Sequence, residues 1–197
     1  MPGPSVVTGV PGVGASRICE GARRDLGDAF TLVNFGDVML EEALERGLTD
    51  SRDGLGELSI HDLRVLQRRA GEYVARKRSE GPLLVNTHLV VNTVHGFLPG
   101  LPPAVLSDVD PAALVVVDAS PETIQRRRET SSRSYPDEPR SVVAFQRQLQ
   151  NAAAVSAAGA VGAPIRHVSN EGGIDTAAEN LARVADTVAT RGGSDGD

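Results

Sequence analysis

The sequence predicts an α/β protein in which a parallel sheet of five short strands is covered by helices on both faces. Five apolar runs, Ser5–Thr8, Thr31–Phe35, Leu83–Val85, Ala113–Val117 and Pro164–Val168, alternate with stretches of helical period. The runs are near-continuous in Val, Leu and Ile, as strands buried on both faces are. A glycine-rich turn follows the first run directly and opens a helix, the order found in βαβ units. In such folds ligands gather at the carboxyl ends of the strands. The sequence therefore places Gly9, Phe35-Gly36-Asp37, Asn86-Thr87-His88 and Asp118-Ala119-Ser120 along one edge.

The turn, Gly9-Val10-Pro11-Gly12-Val13-Gly14, lets successive backbone N–H groups converge on one concavity, and the helix behind it adds partial positive charge. Polyphosphate suits such a nest. Its spacing fits the phosphate-binding pattern G-x-x-x-x-G-K-[ST] through Gly9, Gly14 and Ser16, except that Ala15 stands at the lysine position. Ser16 keeps a hydroxyl for a metal ion. Arg17 lies two positions past Ala15, about 200° around a helix, so it is no simple replacement for the lysine. A tight strand–helix turn without a ligand is the alternative reading.

The remaining elements follow in order. Ser16–Leu26 carries Ile18, Cys19, Ala22 and Leu26 at helical spacing, with Cys19 read as a small buried hydrophobe. Asp37 is placed as N-cap of a helix over Val38–Arg46 that Gly47 ends. A long helix spans Ser59–Glu80 and is stopped by Gly81-Pro82. The Gly- and Pro-rich stretch Asn92–Pro103 reads as loop, with a short helical turn over Leu101–Leu106. Pro121 opens a helix that ends in Arg126-Arg127-Arg128. Glu129–Pro139 is polar and aperiodic. Helices are expected over Ser141–Ala160 and Ile174–Ala189, and residues 191–197 form a disordered tail. One domain over residues 1–190 accounts for the pattern.

Composition bounds the function. The 197 residues carry a formal net charge of -6, which disfavours a general nucleic-acid binder. A lone cysteine rules out an intrachain disulfide, and the four histidines lack metal-ligand spacing. The sequence holds neither an 18-residue apolar run nor a signal-peptide core, so the expectation is a cytoplasmic protein away from the membrane. Lys77 is the single lysine among 20 basic residues.

Several stretches together resemble the archaeal-type adenylate kinases, a branch of the P-loop nucleoside monophosphate kinases. They are TGVPGVG (Thr8–Gly14), VNFGDVMLEEALERGL (Val33–Leu48), Ser51–Asp53, Asn86–His88 followed by GFLPGLP (Gly96–Pro102), and an arginine-rich, lid-like region about residues 126–140. The similarity covers nearly the whole length. It implies a P-loop NTPase-like three-layer α/β/α fold with a parallel five-stranded sheet and a small lid. It implies reversible phosphoryl transfer, ATP plus AMP giving two ADP, with Mg²⁺ as the metal. Trimers occur in the family, so a homo-oligomer is among the states implied.

By position, the resemblance implies that Gly9, Pro11, Gly12, Val13, Gly14, Ala15, Ser16 and Arg17 line the ATP phosphates, with Ser16 toward Mg²⁺. Gly36, Asp37 and Arg52 would receive the monophosphate, and Thr87 and His88 would wall the acceptor pocket. Arg128, Arg133 and Arg147 would supply cations to the transferring group, with Arg127 at the base of the lid. Read without the resemblance, Asp37 is a helix cap, His88 a polar residue at a strand end, and Arg126–Arg128 a solvated helix end. The chain departs from the family pattern at Ala15 (usually Lys), Asn86 (usually Asp) and Asn92 (usually Lys). It lacks a second lid arginine near Tyr135 and an arginine near Ala152. Each departure removes charge from the reaction centre. Two rival readings follow: a non-catalytic adenine-nucleotide sensor, and a kinase for a different monophosphate or small acceptor.

Overall fold

A computed structural model describes residues 3–131, 135 and 138–191. Its sheet has five strands, all parallel, in the order β2-β3-β1-β6-β7: β1 is Ser5–Thr8, β2 Thr31–Asn34, β3 Leu83–Asn86, β6 Ala113–Asp118 and β7 Ile165–Ser169. The expected fold class holds. Side-chain alternation divides the central strands between two cores. Val6, Val85, Leu114 and Val116 face one core, and Val7, Leu84, Val115 and Val117 the other.

The first core is closed by α2 (Phe35–Glu45), α3 (Ile60–Lys77), α4 (Pro103–Val109) and α6 (Arg140–Val161), through Phe35, Leu63, Leu66, Val105 and Ala154. The second is closed by α1 (Ala15–Leu26), α5 (Pro121–Glu129) and α7 (Ile174–Arg191), through Ile18, Ala22, Ile124 and Leu181. Cys19 is fully buried there, as expected. No helix of the described residues is long and apolar enough to cross a membrane.

Two expectations are corrected. The stretch read as loop after Asn92 contains a hairpin, β4 (Val90–Thr93) against β5 (Gly96–Pro99), with Asn92 opposite Phe97. Gly96, at φ +96°, turns the chain, and Pro99 falls at the end of the ladder, where a missing N–H is tolerated. Asp37 is not an N-cap. β2 passes without a loop into α2, so the helix begins at Phe35 and Asp37 lies in its first turn. The lid expected about residues 126–140 falls only partly on described residues, because α5 runs to Glu129 and α6 begins at Arg140. Arg133, within it, and residues 192–197 of the expected tail lie outside the described residues.

Candidate active site

The glycine loop leaves the carboxyl end of β1 and is closed by the Val13 N–H donating to the Val10 carbonyl at 3.1 Å. Gly12 and Gly14 sit at φ +90° and +92°, where an L side chain costs about 1–2 kcal/mol. Gly14 caps α1 with backbone alone, and the first turn of α1 carries no acidic residue. The unpaired N–H groups and the positive end of the helix therefore face any anion in the loop. Ala15 is buried at the start of α1, while Ser16 and Arg17 are exposed.

A cleft of about 330 Å³ begins at Val10, Pro11 and Ser16 and runs to Gly36 and Arg52. Asn86, at the end of β3, joins its two ends. Its carboxamide donates to Ser16 Oγ at 3.0 Å and to Asn34 Oδ1 at 2.9 Å. His88 Nδ1 lies 2.7 Å from the Gly9 carbonyl, and the Thr87 N–H donates to Val7. Both residues line the cleft. At the far end Arg52 donates to Asp37, 3.0 Å from its Nε. Gly36 permits this approach, since a Cβ there would meet the guanidinium at 2.6 Å. The Asp118–Ser120 turn, expected on the same edge, does not line the cleft. Arg147 takes the Asp118 carboxylate, and Glu171 accepts from Ser120 and Thr123.

Arg127 and Arg128 hold the glycine loop through its carbonyls, while Arg147 of α6 pairs with Asp118 beside it. Arg128 is buried; its Nε and Nη2 donate to the Pro11 carbonyl at 2.9 and 2.8 Å. The same guanidinium donates to Glu138 (2.9 Å) and Gln146 (2.8 Å) and stacks over Tyr135. Arg127 reaches the carbonyls of Val13 (3.2 Å) and Asn170 (2.7 Å), and desolvation lowers its pKa. Arg147 binds Asp118 bidentately, and that hydrogen-bonded pairing raises its pKa. Hydrogen bonds from the Ser120 backbone and the Thr123 hydroxyl lower the pKa of Glu171.

Sequence reasoning missed the carboxamides. Gln67, Gln146 and Gln150 line the cleft, and buried Asn170 donates to the Val13 carbonyl at 2.7 Å. Gln67 had a signal: it interrupts the apolar face Leu63, Leu66, Ala70, Val74 of α3. A polar residue on a core stripe needs a partner, and here the partner is the cleft wall.

Nucleotide and metal can be tested against these groups. The positive-φ glycines and the acid-free helix start fit a polyphosphate. The donors near Ser16 are neutral, a hydroxyl and a carboxamide, and no cluster of three His, Cys, Asp or Glu suited to a metal occurs among the described residues. Such a set fits a magnesium ion already carried on phosphate oxygens, the usual way this ion is bound.

Comparison with known proteins agrees with this geometry. Residues 8–143 match the model of an AAA domain family, AAA_17. The adenylate kinase of Pyrococcus furiosus is 34% identical over 189 residues, spanning 94% of this chain and 96% of its own. That of Methanococcus vannielii is 35% identical over 184 residues, spanning 91% and 96%. Among solved structures, a shikimate kinase from Bacteroides thetaiotaomicron superposes with a TM-score of 0.57 at 14% identity, over 94% of this chain and 99% of that one. A gluconokinase from Sinorhizobium meliloti gives 0.52 at 19% identity, over 96% and 97%; both likenesses bear on the fold alone.

Proposed function

The chain belongs to the adenylate kinase family of P-loop kinases, and from that premise we propose that it transfers the γ-phosphoryl group of ATP to AMP, giving two ADP. The observation that carries the reading is the continuity of the cleft. One cavity joins Pro11 and Ser16 at the glycine loop to Gly36 and Arg52 at the start of α2. Donor and acceptor phosphates placed at its two ends would meet within it. Phosphoryl transfer asks little covalent chemistry of a protein; alignment, charge neutralisation and exclusion of water supply most of the rate.

In this reading the backbone N–H groups between Gly9 and Ser16 hold the donor phosphates, Pro11 having none and that of Val13 being bonded to Val10, and Arg17 flanks them. Ser16, oriented by the Asn86 carboxamide that donates to its Oγ, would hold Mg²⁺, whose role when bound would be to neutralise phosphate charge. Gly36 and Arg52, the latter oriented by Asp37, receive the acceptor phosphate, and Thr87 and His88 form the floor. With Ala15 at the lysine position, Arg147 and the lid arginines Arg128 and Arg133 take over the cationic role. Arg147 stands on the shoulder of the loop, its carboxylate partner one residue past Val117, whose carbonyl lies against Gly9. The lid, residues 126–140, would close over the transferring group and keep water from competing as acceptor.

A second reading has its own observation. Arg127, Arg128 and Arg147 all donate to acceptors of the protein itself, as they would in a nucleotide sensor that binds without turnover. The test is ADP formation from ATP with and without AMP in the presence of Mg²⁺. Two ADP per ATP consumed, dependent on AMP, supports the transferase. AMP-independent hydrolysis, or binding with no product, contradicts it.

A further inference from the structure

The two loop glycines at positive φ, Gly12 and Gly14, are each pressed from behind by a donor side chain. A Cβ on Gly12 would meet Arg128 Cγ at 2.7 Å, and one on Gly14 would meet Asn170 Nδ2 at 2.9 Å. Both donors hold the carbonyl just before the glycine. Arg128 donates to the Pro11 carbonyl through Nε at 2.9 Å and Nη2 at 2.8 Å. Asn170 donates to the Val13 carbonyl at 2.7 Å, and Arg127 joins it at 3.2 Å. These peptide units are trans, so the C=O and N–H of each point in opposite directions. Holding the Pro11 carbonyl therefore turns the Gly12 N–H away from Arg128. Holding the Val13 carbonyl turns the Gly14 N–H away from Asn170. A donor on the carbonyl also polarises its peptide unit and strengthens the N–H at the other end.

Arg128 is itself tied down. It is 9% exposed, and Glu138 and Gln146 close a triangle with it. Its Nη1 donates to Glu138 Oε2 at 2.9 Å, its Nη2 to Gln146 Oε1 at 2.8 Å, and Gln146 Nε2 donates to the same Glu138 oxygen at 2.9 Å. The Tyr135 ring centroid lies 5.5 Å from the guanidinium carbon. Four of the five guanidinium N–H groups are bonded in this way, and the Glu138 carboxylate, with a side chain 18% exposed, offsets the charge. Such a group is a clamp and not a free cation. Moving it onto a phosphate would break its bonds to Pro11, Glu138 and Gln146 together and leave a nearly buried carboxylate without its counter-charge.

We propose that Arg128 is a positioning residue for the donor phosphates: through the Pro11 carbonyl it aims the Gly12 N–H at the anion, and Glu138 and Gln146 fix it in that posture. This rests on the reading of the loop as the donor-phosphate site, and it has Arg128 exert its share of the cationic role through the peptide dipoles of the loop. Ala15 supplies no cation from the loop itself, so the alignment of the N–H groups is what binds charge there. A loop aligned beforehand spares the nucleotide the cost of ordering it.

The experiment measures binding of inorganic tripolyphosphate and of Mg·ATP to the intact protein by calorimetry, for wild type, Arg128→Lys, Arg128→Met and Glu138→Gln, with steady-state kinetics alongside. A lysine keeps the charge but lacks the planar fork that bridges Pro11, Glu138 and Gln146. Arg128→Lys is therefore expected to weaken both ligands about 10–100-fold, within about threefold of Arg128→Met, while the KM for AMP changes little. Glu138→Gln weakens them too, because the arginine loses its anchor. Wild-type affinity in Arg128→Lys, or tighter binding in Glu138→Gln, would mean that the charge acts on the phosphate directly, and overturns the inference. A loss of stability in urea with affinity unchanged overturns it as well. Should the Arg128 variants not fold, heteronuclear NMR of the wild type decides: tripolyphosphate should shift the Gly12 and Gly14 amides and leave the Arg128 Nε resonance in place. A moving Nε signal beside static glycine amides contradicts the inference. A protein that binds ATP without forming ADP overturns the kinase reading and leaves this one standing, whereas one that binds neither ligand overturns both.

Discussion

Arg147 donates two hydrogen bonds to Asp118, from Nε at 2.8 Å and from Nη2 at 2.5 Å, at the carboxyl end of β6, which lies between β1 and β7. Both side chains are mostly buried, 26% and 18% exposed, so the pair is held away from bulk screening. Asp118→Asn strips the guanidinium of its counter-charge and is expected to lower stability at neutral pH by about 2 kcal/mol, measured by urea unfolding. A loss under about 0.5 kcal/mol would place the pair among ordinary surface ion pairs.

If Arg147 serves as the cation beside the loop, Arg147→Met should cut kcat for ADP formation at least about a thousandfold, the lower end of an arginine's typical worth in phosphoryl transfer. The KM for AMP should change little. A fall in stability with kcat untouched would make the residue a brace only.

Gly14 carries the loop into α1 at φ +92°, and an added Cβ would come within 2.9 Å of Asn170 Nδ2. Gly14→Ala should therefore cost about 1–2 kcal/mol of stability and weaken ATP binding. Isothermal titration checks the second effect, which a ligand-free turn would not show.

Cys19 is fully buried, and desolvation with the nearby Glu20 pushes its thiol up to about 12. The nucleophile is the thiolate, so the folded protein should resist a disulfide reagent near about pH 8 and react fully in denaturant. Fast reaction of the native protein would mean that α1 and α7 separate readily.

Glu171 ties the turn after β7 to Ser120 and Thr123, and its pKa lies below the ordinary 4.5. Its folded value being depressed, the stabilisation is complete above pH 4.5 and disappears as pH falls through the folded value. Glu171→Gln should thus unfold earlier than wild type at neutral pH, and the two midpoints should converge below pH 4.5. A difference independent of pH would assign the effect to packing.

The parallel sheet and its site edge were legible because strand burial on both faces writes itself as continuous Val and Leu, and because the φ of a glycine loop demands glycine. The hairpin Val90–Pro99 was not, since Gly96 and Pro99 read as loop residues until the ladder shows where a turn and a missing N–H are tolerated. Asp37 was legible as a polar residue at a helix start but not as the partner of Arg52, fifteen residues on, because that pairing depends on how the chain returns over Gly36. Gln146 and Gln150 lie on a helix whose cleft-facing side only the packing of α6 on β6 defines. Carboxamides scattered along helices carry no spacing rule that marks them as a wall.

The proposed transfer requires that a glycine loop with Ala15 at the lysine position still support adenylate kinase chemistry on arginines. The most direct measurement is steady-state ADP formation from ATP and AMP with Mg²⁺, at low salt and in molar KCl, for wild type and for Ala15→Lys. Wild-type turnover is expected in the ordinary kinase range of about 1–100 per second, with the variant within about tenfold of it. An inert wild type beside an active Ala15→Lys would contradict it, leaving a protein that has kept the pocket and lost the transfer.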